Sequence, residues 1–522
     1  MGVRPGFSGC PIGREALSGL PFRREPGPRL GGIGLSGAIP FISPKGARIL
    51  SEAIQYRVFA VTGSHVSPGI FQKAMSFTND LLDTFLTGEA TPMSTWEWIC
   101  SMPSRRRKQL IRALRQYEER GEFHAHFTRI QAFVKTEKLP YFGVVNGVYS
   151  PDFQKYVARL IQAPHDETHL VAGPYLKPLV GRLKEVWSYS NWLFYASVDP
   201  HKLDLWLNRN RCADSWFWAD YSFFDATYSP EAWRMIESFY ATIYPEAPPE
   251  FWMVLDAWRK PQGHIKCHKD DTVIKYDAPV MNASGRDDTA LANALFNGIA
   301  LALSIAAALS GKTVFELNDA DVRLARELVN IAVVGDDSLV ALRCDVAPIA
   351  GAICSNLRLF GLVVKSEWSY RLCDVTFLGQ MPYPAAGNLY WGPTLGRRLY
   401  KAYWQEEPVG NLPAWVLGVA KQMLLYRHVP ILYDMAQRIT ALLPGGKVTA
   451  FKHDPNRVWA SRTAETPHYD ASTLNWLADR YEEHGLSVAQ IRADILTVTR
   501  VDRLPAVVRL HTTEVALTVD DL

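Results

Sequence analysis

Two aspartates five positions apart, Asp220 and Asp225, follow the apolar run Trp216-Phe217-Trp218-Ala219. A strand end projects one carboxylate into the space beyond a sheet, where a hard divalent cation finds rigidly held oxygen ligands. Taken alone, the spacing is a weak signal and reads as two unrelated loop acids. A second cluster, Gly335-Asp336-Asp337, joins the apolar runs 331–334 and 338–342. Gly and Asp are ordinary hairpin-turn residues, yet two adjacent carboxylates at a tip repel unless solvent or a cation screens them. The third cluster is Ser284-Gly285-Arg286-Asp287-Asp288-Thr289 and continues to Asn293. Gly285 permits a close or left-handed backbone. Thr289 and Asn293, four apart, share a helix face whose hydroxyl and amide can read a ribose.

These groups need a strand that ends in Asp220, a hairpin that turns at Gly335, and a helix that starts near Thr289. Residues 200–380 alternate apolar runs with helical patterns, as a small sheet backed by helices does. The stretch 294–309 is apolar for about 16 residues but carries Asn297 and Gly298, and reads as a buried core helix rather than a membrane span. The whole chain of 522 residues is 48% hydrophobic and 21% charged, which excludes disordered, collagenous and coiled-coil classes. Its net charge of +3 gives no overall polyanion signature, so any such surface must be local. One candidate is 104–120, where Arg105, Arg106, Arg107, Lys108, Arg112 and Arg115 make either a solvated helix face or a phosphate-contacting surface. Seven widely spaced cysteines with no Cys-x-x-Cys pair argue against a disulfide framework or a zinc ribbon, and point to a reducing compartment. The first 48 residues, rich in Gly, Pro and Arg, read as an extended arm without a secretory signal. Trp96, Trp98 and Trp187 read as core residues.

In that order, Trp216 to Asp225, Ser284 to Asn293 and Val333 to Asp337 resemble motifs A, B and C of the RNA-directed RNA polymerases of positive-strand RNA viruses. Phe133-Val134-Lys135-Thr136-Glu137-Lys138 with Arg159-Leu160-Ile161-Gln162 resembles motif F, residues 359–365 motif D, and Phe377-Leu378-Gly379 the motif E turn. Residues 95–114 and 133–138 look most like the tombusvirus and nodavirus branch. The resemblance covers roughly residues 95 to 380. It departs before Arg159, where Val157-Ala158 replaces the usual Lys-Pro, so that one cationic contact is missing or comes from Lys155. Motif G is either Gly63-Ser64-His65 or Ser67-Pro68-Gly69.

The resemblance implies an α+β, closed right-hand polymerase with an antiparallel palm sheet flanked by helices and a mainly helical thumb. The implied order is an arm (1–48), fingers (49–205), palm (206–232), a fingers insertion (233–280), palm (281–380) and thumb (381–522). It implies two Mg²⁺ ions, with Mn²⁺ as substitute, on Asp220 and Asp336 with Asp337 auxiliary, and Lys365 as general acid toward pyrophosphate. Asp225, Ser284, Gly285, Thr289 and Asn293 would meet the nucleotide sugar, while Lys135, Lys138 and Arg159 would hold its phosphates. The implied partners are an RNA template, the nascent strand, ribonucleoside triphosphates, and viral or membrane-associated host factors in the host cytoplasm, with no membrane span of the chain's own. Two rival readings are a reverse transcriptase-like enzyme and a catalytically silent RNA-binding scaffold.

Overall fold

The computed structural model describes residues 2–3, 31–32, 41–42, 47–61, 65–88, 90–121, 129–135, 138–139, 144–145, 148–149, 157–196, 199–266, 273–395, 398, 404–405, 411–443, 466–482, 487–497 and 499. Most of the N-terminal arm, Lys155, Gly63 and Ser64 lie outside these residues. The helices that bear on the site are α1 (Ala47–Ile54), α2 (Thr95–Cys100), α3 (Ser104–Arg120), α4 (Asp166–Val186), α5 (Pro200–Arg209), α6 (Thr289–Leu309) and α7 (Ala350–Leu359). The strands of the two larger sheets are β1 (Arg129–Val134), β2 (Leu160–Pro164), β3 (Leu193–Tyr195), β4 (Ser215–Tyr221), β5 (Gln262–Lys266), β6 (Val273–Asp277), β7 (Val329–Val334), β8 (Asp337–Leu342) and β9 (Val364–Ser369).

The fold is mixed α/β. One sheet has the order β3-β7-β8-β4-β9 and the other β6-β5-β1-β2. In the first, β7, β8, β4 and β9 are antiparallel neighbours, as expected, but β3 joins the edge in parallel, with Leu193 opposite Ile331. The expectation of a wholly antiparallel sheet is therefore corrected to a mixed one. The reason is topological: more than a hundred residues separate β3 from β7, ample for the crossover that a parallel pair requires. Three residues are also too short a run to show a period.

Both faces of this sheet are covered, which is why its strands read as nearly continuous apolar runs. Phe217, Ala219 and Tyr221 of β4, with Ile331, Val333, Val340 and Leu342, pack into the main core with α6 and with Ile353 and Leu357 of α7. The alternate residues Trp216, Ala332, Leu339 and Ala341 pack on the other face with Leu203, Trp206 and Leu207 of α5. Helix α6 is long and apolar enough to cross a membrane, yet its side chains are buried inside the protein. Beyond the sheet, a hairpin of Gln380–Ala385 with Asn388–Pro393 precedes helices Leu412–Met423, Pro430–Leu442, Ala471–Tyr481 and Val488–Thr497, which share a core of their own.

Trp98 and Trp187 are core residues, whereas Trp96 is 57% exposed, a correction to the reading of all three as buried. Positions 96 and 98 of the six-residue α2 lie about 200° apart around its axis, so only one of them faces α4. Trp98 takes that place, and there is no room for a side chain at Gly173 beneath its indole.

Gly298 has the same relation to Trp187. A Cβ there would lie 2.6 Å from the indole, which is tethered by its Nε1 to the Leu81 carbonyl at 3.0 Å. Helix propensity alone would favour Ala at position 298 by about 0.5–1 kcal/mol. Overpacking costs roughly 1–3 kcal/mol and outweighs it. Gly298→Ala is expected to lower the urea midpoint, and a midpoint that rises contradicts this packing.

Candidate active site

Strand β4 brings Asp220 to the end of the sheet. Its backbone lies opposite Lys365 of β9, and Ala219 lies opposite Ser338 of β8, so the same register continued by one residue sets Asp337 beside Asp220. Directly opposed residues share a face, and alternate residues of a strand share one too. Asp337, Asp220 and Lys365 consequently form a row across three strands, about 4.8 Å apart in backbone spacing. All three are exposed, as is Asp336 at the tip.

Val334 pairs with Asp337, which leaves Gly335 and Asp336 as a two-residue turn. Gly335 has φ +60°, and Asp336 is not among the residues of positive φ, the pattern of a type II′ hairpin turn. A residue with a Cβ is strained at the first position, so Gly335 is required by the geometry that presents Asp336.

The third cluster forms a loop docked against β2. The Ser284 carbonyl accepts from the Gln162 amide at 2.7 Å. Gly285 has φ +116°, and a Cβ on it would lie 2.8 Å from the Gln162 carbonyl oxygen, so neither the conformation nor the space admits a side chain. Arg286 forks both oxygens of Asp288 at 2.9 Å, fully buried, with its guanidinium over Trp233 (4.2 Å) and Trp258 (5.3 Å). Asp287 meets His169 Nδ1 of α4 at 2.8 Å. Both acids thus lock the loop, Asp288 through its ion pair with Arg286 and Asp287 through its hydrogen bond with His169. Thr289 turns its hydroxyl back onto the Ala283 and Arg286 carbonyls. Its expected sugar-facing hydroxyl is therefore already engaged in holding the loop.

Asn293, one turn further along α6, reaches Asp225: its Nδ2 donates to the carboxylate at 3.0 Å, while its Oδ1 accepts from Asn282 Nδ2 at 2.6 Å. The Asn282 amide donates to the Asp225 carbonyl at 2.8 Å. Asp225 follows Phe223, a non-glycine residue at φ +56° that turns the chain sharply after β4.

The basic residues approach from the second sheet. The Lys135 amide donates to the Arg159 carbonyl at 2.7 Å, and the register of β1 on β2 keeps the two residues adjacent. Lys138 begins a short strand paired with Phe41–Ile42, but its side chain lies outside the described residues. Sequence reasoning missed Arg57. It lies in the π-turn Gln55–Phe59 after α1, donates from Nη2 to the Val157 carbonyl at 2.9 Å, and stands over the Phe223 ring at 5.1 Å. It thus brings a cation next to the Val157-Ala158 segment where the resemblance lacked one. No local signal marks Arg57, because the contact spans 100 residues.

On α3, Arg106 and Arg120 are bound to Asp166 and Glu167 at the start of α4. Arg105, Lys108, Arg112 and Arg115 are exposed, and their spacing of three, four and three sets them on one face. A cleft of about 910 Å³ lies elsewhere, lined by Arg211, Arg371 and Trp476 among others and by none of the candidate residues.

Can this site hold a metal? Its donors at the sheet end are all carboxylate oxygens, which suit a hard cation. Among the described residues no group of three or more metal-ligating side chains is gathered into a cage. Mg²⁺ fits that arrangement, because it commonly takes one or two carboxylates and completes its shell with water and substrate phosphates.

No family model matches the chain. Over 146 residues it is 31% identical to the RNA-directed RNA polymerase of Oat chlorotic stunt virus (isolate United Kingdom). That alignment spans 26% of this chain and 18% of the relative, so the chain covers about a fifth of the relative's length.

Desolvation pushes the Asp225 carboxyl up to about 6 from an ordinary 3.8, helped by the charge of Asp336 and opposed by the Asn293 bond and the charges of Arg159 and Arg57. The folded chain then holds a proton that the unfolded chain has released. The associated stability is fully present below about 3.8 and is lost as pH rises through about 6. Asp225→Asn should remove this slope, so that melting temperatures of wild type and variant diverge between pH 4.5 and 7 in favour of the variant. Parallel profiles would contradict the burial of this carboxyl.

Proposed function

We propose that this chain is a viral RNA-directed RNA polymerase, which copies an RNA template from ribonucleoside triphosphates, and that it belongs to the tombusvirus and nodavirus branch. The observation that carries the reading is the convergence of Asp220, the Gly335-Asp336-Asp337 turn and the Asp225–Asn293 pair at one sheet end, beside Arg159 and Lys135. The similarity to a viral polymerase over 146 residues supports it. On this reading the chain is a closed right hand. The sheet of β3, β7, β8, β4 and β9 lies in the palm, the β1–β2 sheet in the fingers, and the C-terminal helices in the thumb.

The reaction is an in-line displacement. The 3′-oxygen of the growing strand bonds to the α-phosphorus, the bond to the β-phosphate oxygen breaks, and pyrophosphate leaves. Mg²⁺, or Mn²⁺ in its place, held by Asp220 and Asp336 with Asp337 beside them, would lower the pKa of the attacking hydroxyl and neutralise the leaving oxygens. The chain's own residues do the positioning. Arg159, Lys135 and Lys138, with Arg57, grip the triphosphate, the arginines being suited to bidentate contact. Lys365, beside Asp220 on β9, returns a proton to the departing pyrophosphate. The Ser284-Gly285 loop and the Asp225–Asn293 pair receive the sugar. Once ionised, Asp225 accepts a hydrogen bond from a 2′-hydroxyl, which a deoxyribonucleotide lacks.

Purified protein given a short RNA template, Mg²⁺ and labelled ribonucleotides should make a template-dependent product, with and without a primer defining the mode of initiation. Asp336→Ala should lower the rate by roughly 100-fold or more, since several kcal/mol of charge stabilisation go with the site. Incorporation by Asp336→Ala at the wild-type rate would refute the metal-ligand role. Asp225→Ala should lower the preference for ribonucleotides over deoxyribonucleotides by about tenfold, the worth of one hydrogen bond to a charged group. An unchanged ratio would exclude Asp225 from sugar reading, and preferential use of deoxyribonucleotides by the wild type would favour the reverse transcriptase reading.

A further inference from the structure

Helix α6 carries a second amide one turn beyond Asn293. Asn297 is fully buried in the otherwise apolar core between α6 and the sheet. An unsatisfied amide in such a place costs several kcal/mol relative to an apolar residue, so its partners matter. Its Nδ2 donates to two carbonyls, those of Gly335 at 3.2 Å and Asp336 at 3.0 Å. Its Oδ1 accepts from the Tyr221 hydroxyl at 2.8 Å. Carbonyls only accept, which fixes the orientation of the amide.

These partners have a geometric consequence. The Gly335 carbonyl belongs to the peptide before Asp336, and the Asp336 carbonyl to the peptide after it. Pinning both peptide planes fixes φ and ψ at Asp336, and with them the direction in which its carboxylate leaves the turn. Tyr221 is the residue after Asp220, and its ring points from β4 into the main core. One side chain therefore ties the strand that bears Asp220 to the turn that bears Asp336. Asn293 and Asn297 are four apart, so the helix that holds Asp225 also holds the turn.

We propose that Asn297 is the positioning residue that sets Asp336 relative to Asp220, and with it cation binding at the sheet end. The proposal rests on the polymerase reading above. Asn297 touches none of the reacting atoms and acts through the turn.

Three variants separate this role from plain core packing. Asn297→Asp keeps the shape but leaves at most one donor for the two carbonyls, Asn297→Leu removes all polar contacts, and Tyr221→Phe removes only the tether to β4. The first readout is Mn²⁺ binding to the metal-free protein by calorimetry. The second is the Mg²⁺ concentration that gives half-maximal incorporation, with thermal melting as the folding control. Loss of a partner that orients a metal ligand typically costs about 10–100-fold in metal affinity. Both Asn297 variants should weaken Mn²⁺ binding and raise the Mg²⁺ midpoint by about tenfold or more, with KM for the nucleotide at saturating Mg²⁺ within about threefold. Tyr221→Phe should shift the same midpoint in the same direction by a smaller factor, with a lowered melting temperature because the buried Asn297 Oδ1 loses its donor.

An unchanged metal midpoint in folded Tyr221→Phe together with unchanged Mn²⁺ binding in either Asn297 variant overturns the proposal. So does activity that falls only in proportion to unfolded protein. A distinct failure is Mn²⁺ binding that persists in Asp336→Ala: this removes the metal reading itself and the proposal with it.

Discussion

Asp220 and Asp337 face each other on neighbouring strands with Asp336 in the turn beside them, and holding exposed carboxylates this close together is the constraint on which the surrounding structure depends. Asp220, Asp336 and Asp337 are exposed to water, but the strands that bear them are buried on both faces. Repulsion at the tip is thus opposed by apolar packing on both faces of the sheet, which strand residues alone can supply along their length but not at the turn. Beyond Val334 the chain needs a local device. It has two: a glycine at positive φ and the amide of Asn297 on the turn carbonyls.

The nearby loop is fixed with comparable force. Arg286 and Asp288 form an ion pair fully buried between Trp233 and Trp258, and Asp287 is held by His169 from α4. A buried pair is costly to desolvate and is weak evidence of added stability, but breaking one partner is severe. Its effect here is to anchor residues 284–288 against β2, where a Cβ on Gly285 would meet the Gln162 carbonyl. The sheet end is then bordered by cations of different origin: Arg159 and Lys135 beside the β1–β2 sheet, Arg57 from the π-turn after α1, and Lys365 from β9.

Much of this was legible in the sequence because it is local. The apolar run into Asp220, the glycine at the hairpin tip and the switch to helical apolarity after Asp288 each follow from short-range chemistry. What escaped was set by contacts distant along the chain. Arg57 meets Val157 from 100 residues away, and β3 finds its parallel partner across a longer gap. Asn297 and Gly298 looked like interruptions of an apolar helix. In the fold each has a partner that explains it: the Gly335-Asp336 turn for Asn297 and the Trp187 ring for Gly298. Thr289 is a related case: helical spacing groups it with Asn293, but could not reveal that its hydroxyl donates back into the loop.

The central claim is that the sheet end binds divalent cations through Asp220 and Asp336. It is tested most directly by anomalous scattering from crystals of the protein soaked in Mn²⁺ with a ribonucleoside triphosphate. The account predicts anomalous peaks within coordination distance of both carboxylates, with the triphosphate extending toward Arg159 and Arg57. Ordered triphosphate without a peak at either aspartate, or Mn²⁺ bound only elsewhere, would contradict it.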